Sequence, residues 1–222
     1  MKTPLSSLLT GALLSVLGAV LPGLTSSALA QSRVTSGDFD LSAQKGIAFD
    51  AAEGTYRATG EVQLVAGDWV VLADTVEARL GTDGRSVSSI EASGVVFVRS
   101  PQVTARCAVL TLRPDSGYVD LAGPGVVLQF DGSRLVTDGL LRLDTGAERF
   151  TLDGAFVLQW GEIRLSAEGG SGALDAAQLA SIEASGSASL QGTDWRAVAE
   201  RLRFDEAASK VWLEGAAGVQ QG

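Results

Sequence analysis

Ile47-Ala-Phe-Asp-Ala-Ala-Glu-Gly-Thr-Tyr-Arg-Ala-Thr-Gly60 decides the fold, because the chain writes the same phrase again further on. It returns as Leu141-Arg-Leu-Asp-Thr-Gly-Ala-Glu-Arg-Phe-Thr-Leu-Asp-Gly154 and as Leu202-Arg-Phe-Asp-Glu-Ala-Ala-Ser-Lys-Val-Trp-Leu-Glu-Gly215. Each copy runs from an apolar start to an Asp, through a polar turn and alternating residues, to a closing glycine. The string Ile-Glu-Ala-Ser-Gly also occurs literally twice, at Ile90 to Gly94 and Ile182 to Gly186. With the closing glycine as marker, Gly60, Gly94, Gly125, Gly154, Gly186 and Gly215 stand 34, 31, 29, 32 and 29 residues apart. A period of about 31 residues is the signature of a repeat architecture.

Within each rung the pattern is that of a strand. The second and fourth positions after the marker are apolar at Val62 and Leu64, Val96 and Val98, Phe156 and Leu158, and Ala188 and Leu190, with Val127 the one such residue in the Gly125 rung. Polar residues such as Glu61, Gln63, Ser187 and Ser189 stand between them, so the period is two and one face is wet. Gly81-Thr-Asp-Gly84, Pro114-Asp-Ser-Gly117 and Asp131-Gly132 supply turns. Leu174 to Ile182 is the only stretch that reads as a helix, while Trp195 to Arg203 falls in register with the repeat and reads as a strand. One such rung cannot bury its apolar face alone, so the rungs must stack. The expected object is all-β, an elongated jelly-roll or solenoid-like stack of about six rungs. An ordinary two-sheet sandwich is the alternative.

Composition removes whole classes of chemistry. The 222 residues include no histidine, which excludes Ser-His-Asp and Cys-His catalysis and His-containing zinc sites. Cys107 is the sole cysteine, so no disulfide forms within the chain, and its apolar surroundings read as a buried filler. A net charge of −9 argues against nucleic acid as the ligand. Lys2, the apolar run Leu8 to Leu21 and the small-x-small triplet Ala28-Leu29-Ala30 resemble a secretory signal with cleavage after Ala30. The chain then divides into a signal (1–30), a lead-in with a first strand (31–46), the repeat domain (47–215) and a tail (216–222).

Three stretches carry a family likeness: Leu72-Ala-Asp-Thr-Val-Glu-Ala-Arg-Leu80, Ala199-Glu-Arg-Leu-Arg-Phe-Asp205, and Ala58-Thr-Gly-Glu-Val-Gln-Leu-Val-Ala-Gly-Asp68. Their phrase, apolar-x-Ala-Asp with alternating residues to a Gly and then Gly-Asp, resembles the OstA/LptA-like lipopolysaccharide-transport proteins. The likeness runs from about Asp38 to Gly215. Arg106, where the family favours an acid, and the loose Gly170 to Ala180 stretch depart from it. The resemblance implies a periplasmic bridge with a V-shaped, open-seamed stack of antiparallel strands that shields lipopolysaccharide acyl chains. It also implies inner-membrane and outer-membrane transport partners, met through terminal strand edges, and end-to-end assembly of copies. Shielding is worth about 0.8 kcal/mol per buried methylene. The inner wall is then expected at Val62, Leu64, Val96, Val98, Val127, Phe156, Leu158, Leu190, Phe49 and Phe204.

Other chemistries find little in the sequence. No Gly-x-Ser-x-Gly elbow, P-loop or HExxH occurs, so no enzymatic activity, metal or cofactor is expected. Gly169 to Asp175 is a lone imperfect match to a calcium-binding nonapeptide, and Asp38 with Asp40 reads as a solvated pair. Arg57, Arg79 and Arg164 read as ordinary surface. Trp69 and Trp195 open corresponding strands, and sheet packing is the expected role of the tryptophans over stacking on a sugar. A purely structural β-solenoid, or one that binds or processes exopolysaccharide, shares the repeat features and stays as the alternative function.

Overall fold

The computed structural model describes residues 32–36, 39–84 and 86–221; the signal segment and Asp38 lie outside them. Among the described residues the period-two pattern folds as read, into seventeen strands in one continuous antiparallel network. They are β1 (Ser32–Ser36), β2 (Phe39–Ala43), β3 (Gly46–Asp50), β4 (Thr55–Ala66), β5 (Trp69–Leu80), β6 (Val87–Arg99), β7 (Val103–Arg113), β8 (Tyr118–Ala122), β9 (Val126–Phe130), β10 (Ser133–Thr137), β11 (Leu140–Asp144), β12 (Arg149–Trp160), β13 (Ile163–Asp175), β14 (Gln178–Gln191), β15 (Trp195–Asp205), β16 (Lys210–Glu214) and β17 (Gly218–Gln221). The fold class is therefore all-β, and Trp195 to Arg203 is a strand.

A single layer cannot bury one face, so the network has to double over. The repeat glycines show where. Pairing slips by a bulge between Thr59 and Val62, Ser93 and Val96, Asp153 and Phe156, and Ser185 and Ala188. Each slip contains a marker glycine at positive φ: Gly60 at 76°, Gly94 at 98°, Gly154 at 123° and Gly186 at 76°. A bulge bends its strand, and glycine alone takes that backbone without strain. Each long strand thus breaks into two halves at a common spine. The halves form sheet I (β3, β8, β11, β16 and one half of each long strand) and sheet II (β1, β2, β9, β10, β17 and the other halves). At about 4.8 Å per strand, sheet I runs about 50 Å from β3 to β16, so the stack is elongated.

Between the sheets lies one apolar core. Leu41, Leu64, Ile90, Leu110, Leu121, Leu128, Leu135, Leu141, Phe150, Leu158, Leu165 and Ile182 are sealed from solvent. No charged side chain is buried among the described residues, and the buried hydroxyl of Thr137 donates to the Ala155 carbonyl at 2.8 Å. Cys107 is buried as expected, and loss of solvation pushes its thiol up to about 11. Ellman's reagent at pH 8 is therefore expected to leave Cys107 unlabelled in the folded protein and to modify it at the rate of unfolding; rapid labelling of the native protein sinks this placement.

Four readings change. Val127 stands on the outer face, half-buried, between Arg106 and Val136. The true marker of that rung is Gly123, at φ 101°, whose missing side chain lies against Ala108 as that of Gly94 lies against Asp74 and that of Gly186 against Glu168. Pro124 and Gly125 widen the bulge into a loop, so alternation restarts at Val126, and Val126, Leu128 and Phe130 point inward. The helix read over Leu174 to Ile182 is a hairpin: β13 and β14 meet through Ala176 and Ala177, both at positive φ, 47° and 67°. That mirror-image turn matches strand twist, and nothing in a pair of alanines announces it. Residues 218–221, read as tail, form β17 and pair with β15. Finally, the glycine stretch is filled rather than loose. Gly172 faces Phe150 and Gly170 faces the Phe156 ring, and a Cβ on Gly172 would lie 2.3 Å from Phe150 Cζ.

Candidate functional site: the seam between the sheets

The spine joins the sheets along one side; along the other, two rows of hairpin turns face each other. Sheet I contributes the turns at 51–54, 114–117, 145–148 and 176–177, and sheet II those at 67–68, 100–102, 131–132, 161–162 and 192–194. This is the seam. The last inward residue before a turn meets solvent there, so apolar side chains lie half-buried on the rim: Trp69, Val103, Trp160, Ile163, Leu174 and Trp195.

Two cavities open consecutively along it. One, of about 390 Å³, lies between Phe39, Ala66 and Trp69 of sheet II and Val87, Leu112 and Pro114 of sheet I. The next, of about 420 Å³, lies between Trp69, Val103 and Leu128 on one side and Leu143, Leu174 and Ala177 on the other. Trp69 and Thr145 border both, so they form one interrupted groove. Each is at the small end of the range for ligand pockets, roughly 300–1,000 Å³. Asp68, Asp144, Glu148 and Arg149 supply a polar rim to the larger one.

Aromatic contacts span the seam on either side of the groove. Phe39 of sheet II meets Tyr56 of sheet I at 6.1 Å between ring centroids, and Phe49 stacks on the same Tyr56 at 4.6 Å. Toward the other end, Trp160 of sheet II meets Phe204 of sheet I at 5.5 Å. Tilted rings at these separations attract beyond simple burial, by about 0.5–1.5 kcal/mol.

Of the expected wall residues, Val62, Leu64, Val96, Val98, Phe156, Leu158 and Leu190 are buried on the inner rows. Phe204 is half-buried at the seam. Phe49 is 50% exposed, although it shares the inner face of Ile47, because β3 is the outermost strand of sheet I and no strand among the described residues pairs beyond it. None of the ten lines either cavity. The groove residues were missed because parity tells inside from outside but not the core from the rim. The usable signal is apolar character next to a turn, as at Trp69 after Gly67-Asp68 and Val103 after Ser100-Pro101-Gln102.

The outer faces carry the charge. On sheet I, Arg57 pairs with Glu77 at 3.1 Å, and Asp120 accepts from Arg142 at 2.6 Å and Arg113 at 3.3 Å. Arg142 foremost, then Arg113, holds the Asp120 carboxyl below its ordinary range. Asp40, read as solvated, is paired with Arg33. Trp212 lies 40% exposed on sheet I with Arg203 over its ring at 5.3 Å.

The chain matches no protein-family profile and no curated protein in sequence. Among solved structures it is similar to LptH, the LptA homologous periplasmic component of the conserved lipopolysaccharide transport device from Pseudomonas aeruginosa, with a TM-score of 0.44 and 13% identity over 48% of this chain and 76% of that one. No helix among the described residues is long and apolar enough to cross a membrane. The distance of that likeness leaves the function to be argued from the seam itself.

Proposed function

We propose that this protein is an exported, periplasmic carrier that shields lipopolysaccharide acyl chains at its seam and bridges inner-membrane and outer-membrane export machinery, without covalent chemistry. The observation that carries the proposal is the groove: two apolar cavities in line, opening from solvent onto a core that runs the length of the stack. Each sheltered methylene contributes about 0.8 kcal/mol, so one chain seated along the groove is held by several kcal/mol. The inner rows are packed shut, so a lipid with several chains enters when the two sheets part along the seam and pivot on the spine. Anionic sugar and phosphate then stay outside, because the core offers them no charged partner.

Strand edges at both ends support the bridging half of the proposal. β3 pairs only with β4, and β16 only with β15, so each leaves an open edge among the described residues. Val211 and Val219 are exposed beside the latter, at 42% and 64%. Open edges are templates for strand addition, by a transport partner or by another copy. A static structural stack is the second reading, favoured by the sealed inner rows.

Photo-crosslinking separates the two. A photoreactive residue at Val103 or Leu174 on the groove, or at Val98 or Leu158 inside, is expected to capture lipopolysaccharide, and one at the outward Ser187 is not. Equal capture at every position, or capture at none, overturns the carrier reading and leaves the scaffold.

A further inference from the structure

The outer face of sheet II, next to the seam, carries a row that the lipid reading does not use. Cross-strand register places Arg99, Thr104, Gln129, Arg134, Gln159, Arg164, Gln191, Arg196 and Gln220 side by side, one per strand, from β6 to β17. From Gln129 onward glutamine and arginine alternate strictly. All but the half-buried Thr104 are exposed, and no carboxylate falls within the row. Among the described residues no acid lies within 4 Å of the guanidinium groups of Arg99, Arg134, Arg164 or Arg196. The opposite face mixes the two signs: Arg57 and Arg142 there are engaged by Glu77 and Asp120, and Arg201 and Arg203 stand across from Glu214 and Glu183 in register.

Spacing and surroundings select the ligand. Arginines on alternate strands repeat every ~10 Å, a sparse ladder of single positive charges. Nucleic acid carries a charge every ~1.7 Å along its axis, and Asp131, Glu162 and Asp194 in the adjoining turns repel so dense an anion. A flat bilayer fits poorly as well: adjacent strands rotate by roughly 20°, so seven steps from Arg99 to Arg196 turn the row through roughly 140°. A flexible linear chain follows such a row. Glutamine amides between the arginines donate to and accept from hydroxyls, and carboxylates along the rim accept from them.

We propose that this row is a track for a linear acidic polysaccharide of the uronate type, with sugar carboxylates on Arg134, Arg164 and Arg196 and sugar hydroxyls on the intervening glutamines. The proposal uses no part of the seam and stands whether or not acyl chains bind there.

Titration calorimetry with lipid-free oligouronate prepared from alginate tests it, against neutral dextran of equal size and vesicles of phosphatidylglycerol with phosphatidylcholine. Oligouronate is expected to bind with an affinity that falls with salt, and dextran is not. The triple variant Arg134→Gln, Arg164→Gln, Arg196→Gln is expected to bind about tenfold more weakly at an unchanged melting temperature, while Arg79→Gln, Arg201→Gln, Arg203→Gln, which removes the same charge from sheet I, stays within about twofold. Arg164→Gln alone, at an exposed position, is expected to weaken binding by about two- to threefold, which keeps the test available should the triple variant fold poorly. No oligouronate binding, equal weakening in both triple variants, or binding of the vesicles alone overturns the proposal.

Discussion

Phe150→Ala is expected to cost about 3–5 kcal/mol of stability, the range for emptying a large aromatic site in a core that cannot collapse. Phe150 is 1% exposed, and its ring lies against Gly172, its direct cross-strand neighbour. The glycine is there for the ring: an added Cβ would sit 2.3 Å from Phe150 Cζ and 2.7 Å from the Ser181 carbonyl oxygen. Gly172→Ala alone is therefore expected to cost about 1–3 kcal/mol by overpacking. The two substitutions must couple. With the ring gone, the new methyl group occupies part of the void and only the carbonyl contact remains, so the double variant is expected to be more stable than the sum of the single losses by about 1–2 kcal/mol. Urea unfolding of both single variants and the double variant measures this directly, and strict additivity contradicts the ring-over-glycine packing.

Gly139→Ala is expected to be comparably severe, about 3 kcal/mol, although it adds one methyl group. Gly139 sits where the chain crosses the spine from β10 to β11, and its backbone runs against that of β12. A Cβ there would lie 1.9 Å from the Asp153 carbonyl oxygen and 3.0 Å from Gly154 Cα. Backbone cannot swing away as a side chain can, and Gly139 N–H is also tied to the buried Thr137 hydroxyl at 3.0 Å. Gly60→Ala provides the contrast. The three atoms nearest its Cβ all belong to the Lys45 side chain, with Cγ at 2.4 Å and Cβ at 3.0 Å, so that side chain must turn aside while alanine is held at φ 76°, at a cost of about 1–2 kcal/mol. Guanidinium midpoints of the two variants are expected to fall in that order. The reverse order counts against a spine held by backbone contact.

Both expectations bear on what could be read from residues alone. Facing follows from parity wherever the glycine bulge is tight, and so Val62, Val96, Phe156 and Leu190 point inward as counted. It fails at Val127 because Pro124 and Gly125 lengthen the bulge, and a slip of one residue exchanges the two faces. The small residues from Gly170 onward look like missing volume in a linear reading, because the rings that fill it, Phe150 and Phe156, arrive from the neighbouring strand. The Ala176-Ala177 turn is hidden for another reason: alanine favours helix, and only the pairing of β13 with β14 overrides it. The groove was least legible of all. It depends on which turns of one sheet face which turns of the other, and that depends on doubling along the spine, a long-range event that strand periodicity does not encode. The arginine and glutamine ladder was equally hidden, since its members fall in pairs five residues apart that recur only about every thirty residues, and the pairs come together only through register.

The spine also makes the molecule a ruler. Each interval between spine glycines adds a comparable length of seam, outer row and core, and returns the chain to the same phase. Joining Gly154 directly to the residue after Gly186 would remove one such interval and leave Ala188 and Leu190 facing as Phe156 and Leu158 do now. Removing a single residue would instead invert a strand. Reach and capacity in this architecture are thus set by whole-number changes in repeat count, and lineages of such chains can lengthen or shorten without redesigning any one rung.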